Sequence, residues 1–184
     1  MNVYFDNAAT TKVRDEVIDE MSNILKDCFG NPSSTHSYGR SAKSYIEISR
    51  KSIAKILNCD PGEIIFNSGG TESDNSILKC AVKDLRIKHI ISSKIEHHAI
   101  THTLDQLRLE GINVHYVKLS ENGNVDIDNL EYLLSLNDEP KLVTLMYINN
   151  EIGNILDVKS VSDLCQKYNS FFHTDAVQAV GHYK

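Results

Sequence analysis

The chain has 184 residues, 41% of them hydrophobic and 24% charged, and a formal net charge of −6. This composition is typical of a globular protein, and its acidic balance without long basic tracts argues against a nucleic-acid partner. No apolar run approaches the roughly 18 residues of a membrane span, so we expect no membrane partner. Because the N-terminus has no charged-then-apolar signal pattern, we expect a cytoplasmic location.

The cysteine and histidine spacing does not favour a metal site. The four cysteines are scattered without a C-x-x-C pair, which predicts buried or half-buried free thiols: Cys28, Cys59, Cys80 and Cys165. His98 and His102 lie four residues apart on a predicted helix and could form half a metal site. No third ligand has a fitting position, so we predict no metal.

The first third of the chain predicts two amphipathic helices. Apolar residues recur at helical spacing over 13–28 and 39–57, with a turn-rich loop over 29–38 between them. A short apolar run then predicts a strand over 64–66. It is followed by a glycine-rich turn and a helix that opens on Thr71.

A regular alternation of strands and helices follows. Strands are predicted over 89–92, 114–119, 142–148 and 170–174, and helices over 99–110, 127–136 and 158–168. Strands joined by helices of this length form parallel sheets with helices on both faces. We therefore predict an α/β fold, a three-layer α/β/α arrangement with a mostly parallel sheet. The apolar strand over 142–148 should be buried on both sides.

The turn before Thr71 resembles a phosphate-binding turn. A helix start leaves N–H groups without partners, and glycines let the backbone approach an anion closely. A hydroxyl from Ser68 or Thr71 can add a donor. No Gly-Lys-Ser/Thr or G-x-G-x-x-G pattern is present, so this is neither a Walker loop nor a dinucleotide fingerprint. A plain glycine-containing β–α turn remains the alternative.

Polar residues follow four of the predicted strands, where ligands bind to such sheets. These strand-end segments are 68–72, 93–98, 149–153 and 175–178. A phosphate cradle, an imidazole, an amide and a carboxylate are the groups that pyridoxal phosphate needs. Each also has a simpler explanation. His97 and His98 could be a surface pair, Asp175 a helix cap, Asn149 and Asn150 a turn, and Glu72 a helix-start charge.

The motifs resemble those of the NifS/IscS-type cysteine desulfurases, class V aminotransferase relatives with the type I fold of pyridoxal-phosphate enzymes. They occur in the family's order: YFDNAATT at 4–11, GNPSSTH at 30–36, FNSGGTESDN at 66–75, EHHA at 96–99, NNEIG at 149–153 and HTDAVQAVG at 173–181. The resemblance implies a homodimeric enzyme that converts L-cysteine to L-alanine. Its sulfur would pass as a persulfide to an acceptor or scaffold protein, for iron–sulfur cluster assembly or thiolation.

The resemblance also implies roles for individual residues around pyridoxal 5'-phosphate. Gly70 and Thr71 would bind the phosphate. His97 would stack on the pyridine ring and help with proton transfer. Asp175 would pair with the ring nitrogen, and Gln178 would hydrogen-bond the ring oxygen.

Three further positions follow from the same resemblance. Asn150 would contact the ring hydroxyl oxygen and lie near the substrate carboxylate. Asn31 and His36 would form part of the active-site wall. Asp74 stands where many relatives carry Asn, and we expect it on the flank of its helix.

Several family features do not occur in this sequence. The Schiff-base lysine of the family lies in a Ser-x-His-Lys segment, which is absent here, and none of the cysteines matches the sulfur-accepting position. Lys184 does not match the Schiff-base lysine either. We expect residues 1–12 to be an N-terminal segment and 13–184 the N-terminal part of the large domain, with its C-terminal part and the small domain missing.

Two expectations follow from these missing parts. The chain alone should be inactive, and it should not be a stable monomer. The alternatives are a selenocysteine lyase or another class V aminotransferase, and a truncated chain without catalytic function.

Overall fold

A computed structural model describes residues 1–182, and these form two compact units that divide after Phe66. The first unit contains helix α1, Asp15–Asp27, and helix α2, Ser37–Leu57, followed by a short 3-10 helix, Pro61–Glu63. Both predicted helices are confirmed. The chain leaves α2 at Asn58, whose left-handed conformation (φ 53°) is one that asparagine tolerates at a helix end.

The apolar sides of both helices are largely exposed. Every residue of α1 is at least partly exposed, and its predicted apolar side includes Leu25 at 76% exposure. On α2, Ile56 is 82% exposed. Apolar surface of this extent is typical of a face that meets another protein surface. Its other members are Val17, Ile18, Met21, Ile46, Ile48, Ile53 and Leu57.

The strand predicted over 64–66 is wrong. The residues are extended, but no strand formed by residues 1–182 pairs with them. A strand exists only through hydrogen bonds to a neighbouring strand. Here the Ile64 carbonyl instead accepts a hydrogen bond from the Arg50 guanidinium, which also lies 4.9 Å from the centroid of the Phe66 ring.

The second unit is built on a parallel sheet, as predicted. Its four strands are β1 (His89–Ser92), β2 (Asn113–Tyr116), β3 (Lys141–Thr144) and β4 (Phe171–His173). Their order is β2-β1-β3-β4, and each pairing is parallel. All four residues of β3 are buried, which confirms that this strand is covered on both sides.

Helices cover both faces of the sheet and complete the three-layer α/β/α fold. They are α3 (Gly70–Lys83), α4 (His98–Leu109), α5 (Ile127–Leu134) and α6 (Val158–Lys167). Ile90 and Leu142 pack into a core with α3 and α4, and the next residue of each strand packs into a second core with α5 and α6. No helix within residues 1–182 is long and apolar enough to cross a membrane.

Three strands are shorter than predicted, because regular pairing ends before the carboxyl edge of the sheet. The predicted spans were 114–119, 142–148 and 170–174. Backbone pairing nevertheless continues there: Val117 donates to the Ser92 carbonyl at 2.9 Å, and Tyr147 donates to the Asp175 carbonyl at 2.9 Å. Main-chain hydrogen bonds therefore hold the strand ends that carry the predicted site.

The first residue of β3, at the amino edge of the sheet, is a buried lysine. Lys141 is 1% exposed, and its ammonium donates to the Asn137 carbonyl at 2.8 Å, the Asn137 Oδ1 at 3.0 Å and the Glu139 carbonyl at 3.1 Å. Burial lowers the pKa of this ammonium. The three acceptors explain how a charged group is tolerated at a buried position.

Candidate functional site

The start of α3 exposes main-chain donors. Gly69 precedes the helix with φ 154° and ψ −179°, a backbone region that is essentially restricted to glycine. It has no side chain to cap the first N–H groups of the helix. At Gly70, a Cβ atom would lie 2.9 Å from Val177 Cγ2, so the two segments approach closely. This geometry suits an anion held by backbone N–H groups.

The charged residue in the first turn of α3 has a local structural role. Glu72 accepts hydrogen bonds from Ser68 N at 2.8 Å and from Ser68 Oγ at 2.5 Å, and these bonds lower the pKa of Glu72. The interpretation of Glu72 as a helix-start charge is confirmed. Because the Ser68 hydroxyl is engaged, Thr71 is the better placed hydroxyl donor for an anion at this helix start.

Three of the predicted site residues border neighbouring spaces at the carboxyl edge. His97 caps α4, with Nδ1 accepting from Ala99 N at 3.1 Å, and its ring is exposed. It lines a cavity of about 390 Å³ together with Asn150. It also lines a second cavity, of about 320 Å³, together with Thr71. The structure therefore places Thr71 and Asn150 in two cavities that both border the imidazole of His97.

A buried carboxyl group supports the segment that carries His97. Glu96 is 8% exposed and accepts hydrogen bonds from Ser93 Oγ at 2.6 Å and from Met146 N at 2.9 Å. Burial is the main reason that the pKa of Glu96 is raised to about 7. No role for Glu96 was expected from the sequence. Its place beside His97 in the EHHA motif was the available signal.

The loop after β3 is organised by Asn149 and presents Asn150. Asn149 is buried, and its amide bonds the main chain of both its own loop and the loop after β1. Asn150 is half-buried and donates from Nδ2 to Glu151 Oε1 at 2.8 Å. The two adjacent asparagines thus differ: the first holds the loop and the second faces the cavity.

The segment after β4 carries Asp175 and Gln178, both half-buried. Asp175 accepts a hydrogen bond from Val177 N at 3.0 Å, the local turn contact expected of an aspartate cap. Its negative charge also helps to raise the pKa of Asp74 and of Glu96. Because Asp175 follows the end of β4, it lies at the same edge of the sheet as the other strand-end groups.

The expected position of Asp74 is wrong. Its side chain is only 5% exposed, and its Oδ1 lies 3.6 Å from His173 Nε2. Burial, and then the charge of Asp175, raises the pKa of Asp74 to about 6. Asp74 was expected on the flank of α3, but it lies on the buried side of that helix together with Leu78 and Ala81.

Asn31 and His36 lie in the first unit and have local contacts there. Asn31 Oδ1 accepts from Ser33 N at 2.9 Å, and His36 Nδ1 accepts from Gly39 N at 3.3 Å at the start of α2. These contacts account for a turn and a helix cap. The assignment of both residues to an active-site wall stays a prediction.

The cysteines are free, as predicted, and Cys165 is buried; Cys80 is exposed, so the expectation that all four are buried or half-buried is wrong for this residue. Burial raises the pKa of its thiol to about 12, which leaves too little thiolate for a nucleophile at neutral pH. His98 and His102 stack with ring centroids 5.1 Å apart. Within residues 1–182, no group of three or more His, Cys, Asp or Glu side chains is arranged to hold a metal ion. Lys184, considered above as a Schiff-base candidate, lies outside the described residues.

Comparisons with known proteins agree with the motifs. The profile of the aminotransferase class V family matches residues 3–184. A cysteine desulfurase IscS of Clostridium botulinum (strain Kyoto / Type A2) is 43% identical over 98% of this chain, and the match covers 45% of that protein. The chain thus spans about half the length of the curated relatives it matches.

Solved structures give the same result. A NifS-like protein superposes with a TM-score of 0.92 at 41% identity, covering 98% of this chain and 50% of that one. A structure of SspA in complex with cysteine superposes with a TM-score of 0.89 at 32% identity, covering 96% and 51%. The fold, the strand-end motifs and the profile match lead to one conclusion: the chain belongs to the aminotransferase class V family.

Proposed function

We propose that this chain supplies the cofactor-binding half of a pyridoxal-phosphate-dependent cysteine desulfurase. The observation that carries the proposal is the grouping of Thr71 and Asn150 around His97 at the carboxyl edge of the sheet. The relatives of this chain support the reaction class, because they are cysteine desulfurases. The similar structure of SspA in complex with cysteine supports L-cysteine as the substrate.

The residues present fit pyridoxal 5'-phosphate. A phosphate can approach the first turn of α3, because Gly69 and Gly70 leave its N–H groups accessible and Thr71 adds a hydroxyl. His97 offers an exposed ring beside this turn. Asp175 offers a carboxylate at the same edge. An anion cradle, a flat ring and an acid are the groups that recognise this cofactor.

When bound, pyridoxal phosphate supplies an electron-accepting ring. The Asp175 carboxylate would hold a proton at the ring nitrogen, and His97 would pack on the ring face and move a proton at the substrate. Gln178 and Asn150 would orient the ring by hydrogen bonds to its oxygen. Asn150 would also lie near the substrate carboxylate.

The complete reaction would convert L-cysteine to L-alanine and pass the sulfur as a persulfide to an acceptor or scaffold protein. The lysine-dependent step of this reaction needs residues that this sequence does not contain, because no Ser-x-His-Lys segment is present in it. We therefore infer that the chain alone is inactive. A cytoplasmic homodimer that serves iron–sulfur cluster assembly or thiolation is part of the same proposal.

Equilibrium dialysis of the full chain against pyridoxal 5'-phosphate tests the proposal. We expect saturable binding that Thr71→Val weakens about tenfold, the equivalent of about 1.4 kcal/mol. Ser76→Ala, an exposed position further along α3, serves as the matched control and should bind like the wild type. A wild-type chain without saturable binding, or a Thr71→Val variant with unchanged affinity, would contradict the cofactor site.

A further inference from the structure

His173 lies between two polar partners. Its Nδ1 is 2.9 Å from Thr144 Oγ1 on β3, and its Nε2 is 3.6 Å from Asp74 Oδ1 on α3. Side-chain exposure is 14% for His173 and 5% for Asp74. A neutral imidazole with its proton on Nε2 satisfies both contacts, because it accepts from the threonine and points its N–H at the carboxylate. Burial lowers the pKa of His173, which favours this neutral form.

The contact joins the two elements that carry the two ends of the proposed cofactor site. Asp74 lies one helical turn after Gly70, on the helix whose start forms the phosphate-binding turn. His173 ends β4, and Asp175 follows it by two residues in a segment whose main chain is still paired, since Tyr147 N donates to the Asp175 carbonyl. A second contact joins the same two segments, since Gly70 approaches Val177 closely.

We propose that the Asp74–His173 contact is a positioning device that sets the spacing between the phosphate-binding turn and the Asp175 carboxylate. This inference rests on the function proposed above. A ligand that bridges the two ends gains affinity when their spacing is fixed beforehand. A ligand that touches only one end gains nothing from it. Asp74 and His173 are positioning residues, because they act through the groups at those ends.

Two substitutions at one position separate the two contacts of His173. His173→Asn keeps a polar atom near the Nδ1 position and hence near Thr144, but has no atom that reaches Asp74. His173→Gln places its amide near the Nε2 position and keeps the contact with Asp74 instead. The control is Cys165→Ala, a buried truncation in the core on the α5 and α6 side of the sheet.

The test measures three ligands with each full-length variant: pyridoxal 5'-phosphate, inorganic phosphate and pyridoxal. His173→Asn should weaken the affinity for pyridoxal 5'-phosphate about tenfold, because the two ends lose their fixed spacing. Its affinities for phosphate and for pyridoxal should stay unchanged. His173→Gln and Cys165→Ala should bind all three ligands like the wild type, and urea midpoints show whether each variant is folded.

Asp74 supplies a second pair of variants in case His173→Asn does not fold. Asp74→Ala removes the partner and should reproduce the selective loss, whereas Asp74→Asn keeps a hydrogen-bonding group of the same shape and should retain the affinity. Unchanged binding of pyridoxal 5'-phosphate by both His173→Asn and Asp74→Ala would overturn the inference. So would a parallel loss for all three ligands. A wild-type chain that binds none of them would instead refute the proposed function, and the inference with it.

Discussion

Asn149 donates a hydrogen bond from Nδ2 to the Ile95 carbonyl over 2.7 Å and so joins the loop after β3 to the loop after β1. Its Oδ1 accepts from two N–H groups of its own loop, at 2.9 and 3.0 Å. The side chain is 4% exposed. These bonds fix the two loops that present His97 and Asn150 to the cavity.

Asn149→Ala should therefore lower the free energy of unfolding by about 2–3 kcal/mol, because it leaves buried main-chain groups without partners. Urea unfolding followed by circular dichroism measures the change. Asn122→Ala, at an exposed turn position, should alter stability by less than about 0.5 kcal/mol. Equal effects of the two substitutions would show that Asn149 does not hold the loops.

Glu96 should make the stability of the fold depend on pH. Its pKa is about 7 in the folded chain, against an ordinary value of 4.5 for glutamate, so the folded chain binds the proton more tightly than the unfolded chain does. Stability from this group is fully present below about pH 4.5 and is lost as the pH rises through about 7. The loss amounts to at most about 3 kcal/mol.

Glu96→Gln isolates this contribution, since a glutamine can accept from Met146 N and donate to Ser93 Oγ. We expect the variant to be the more stable protein at pH 8, with the difference shrinking toward pH 5. Urea unfolding at a series of pH values gives this difference directly. A difference that is constant with pH would refute the raised pKa. Shifted groups whose charge does not interact with Glu96 affect both proteins alike.

Gly70→Ala should strain the contact between the two segments of the site. The new Cβ would meet Val177 Cγ2 at 2.9 Å, and the β-branched valine has little freedom to turn away. We expect a destabilisation of about 1–3 kcal/mol. Val177→Ala removes the clashing methyl group, so the double variant should recover most of the loss. An additive double-mutant cycle would place the strain elsewhere.

The exposed apolar sides of α1 and α2 should make the isolated chain associate. Size-exclusion chromatography with light scattering should show species larger than a monomer, because large apolar surfaces are removed from water by contact. Leu25→Gln combined with Ile56→Gln should shift the population toward monomer. A folded, monodisperse monomer of the unsubstituted chain would contradict this expectation.

Much of the fold could be predicted because each strand of the sheet is enclosed by helices of clear period. β1 is predicted with its observed bounds, and the helix predicted over 127–136 begins at Ile127 as expected, with Asp126 accepting from Asn129 N at its start. The run over 64–66 is equally apolar, yet it forms no strand. Whether these residues form a strand depends on a pairing partner distant in sequence, and their composition does not specify that partner.

The placement of His97 and Asn150 on one cavity could be predicted, because their motifs follow two strands of a parallel sheet. What could not be predicted is which polar residues are buried. Asp74, Glu96 and His173 are polar residue types that usually face water. Only the packing of α3 and of the β1 loop against neighbouring strands removes them from solvent and shifts each pKa.

The buried Lys141 bears on any attempt to find a lysine that reacts with an aldehyde. The lowered pKa of Lys141 makes its amine more nucleophilic at neutral pH, but the amine is enclosed by three oxygen acceptors. It also lies at the amino edge of the sheet, whereas Thr71, His97 and Asn150 border the carboxyl edge. An aldehyde could reach it only after that edge had opened. A borohydride-fixed adduct on Lys141 would therefore indicate partial unfolding of the sheet. The rate at which the adduct forms would measure the rate of that unfolding.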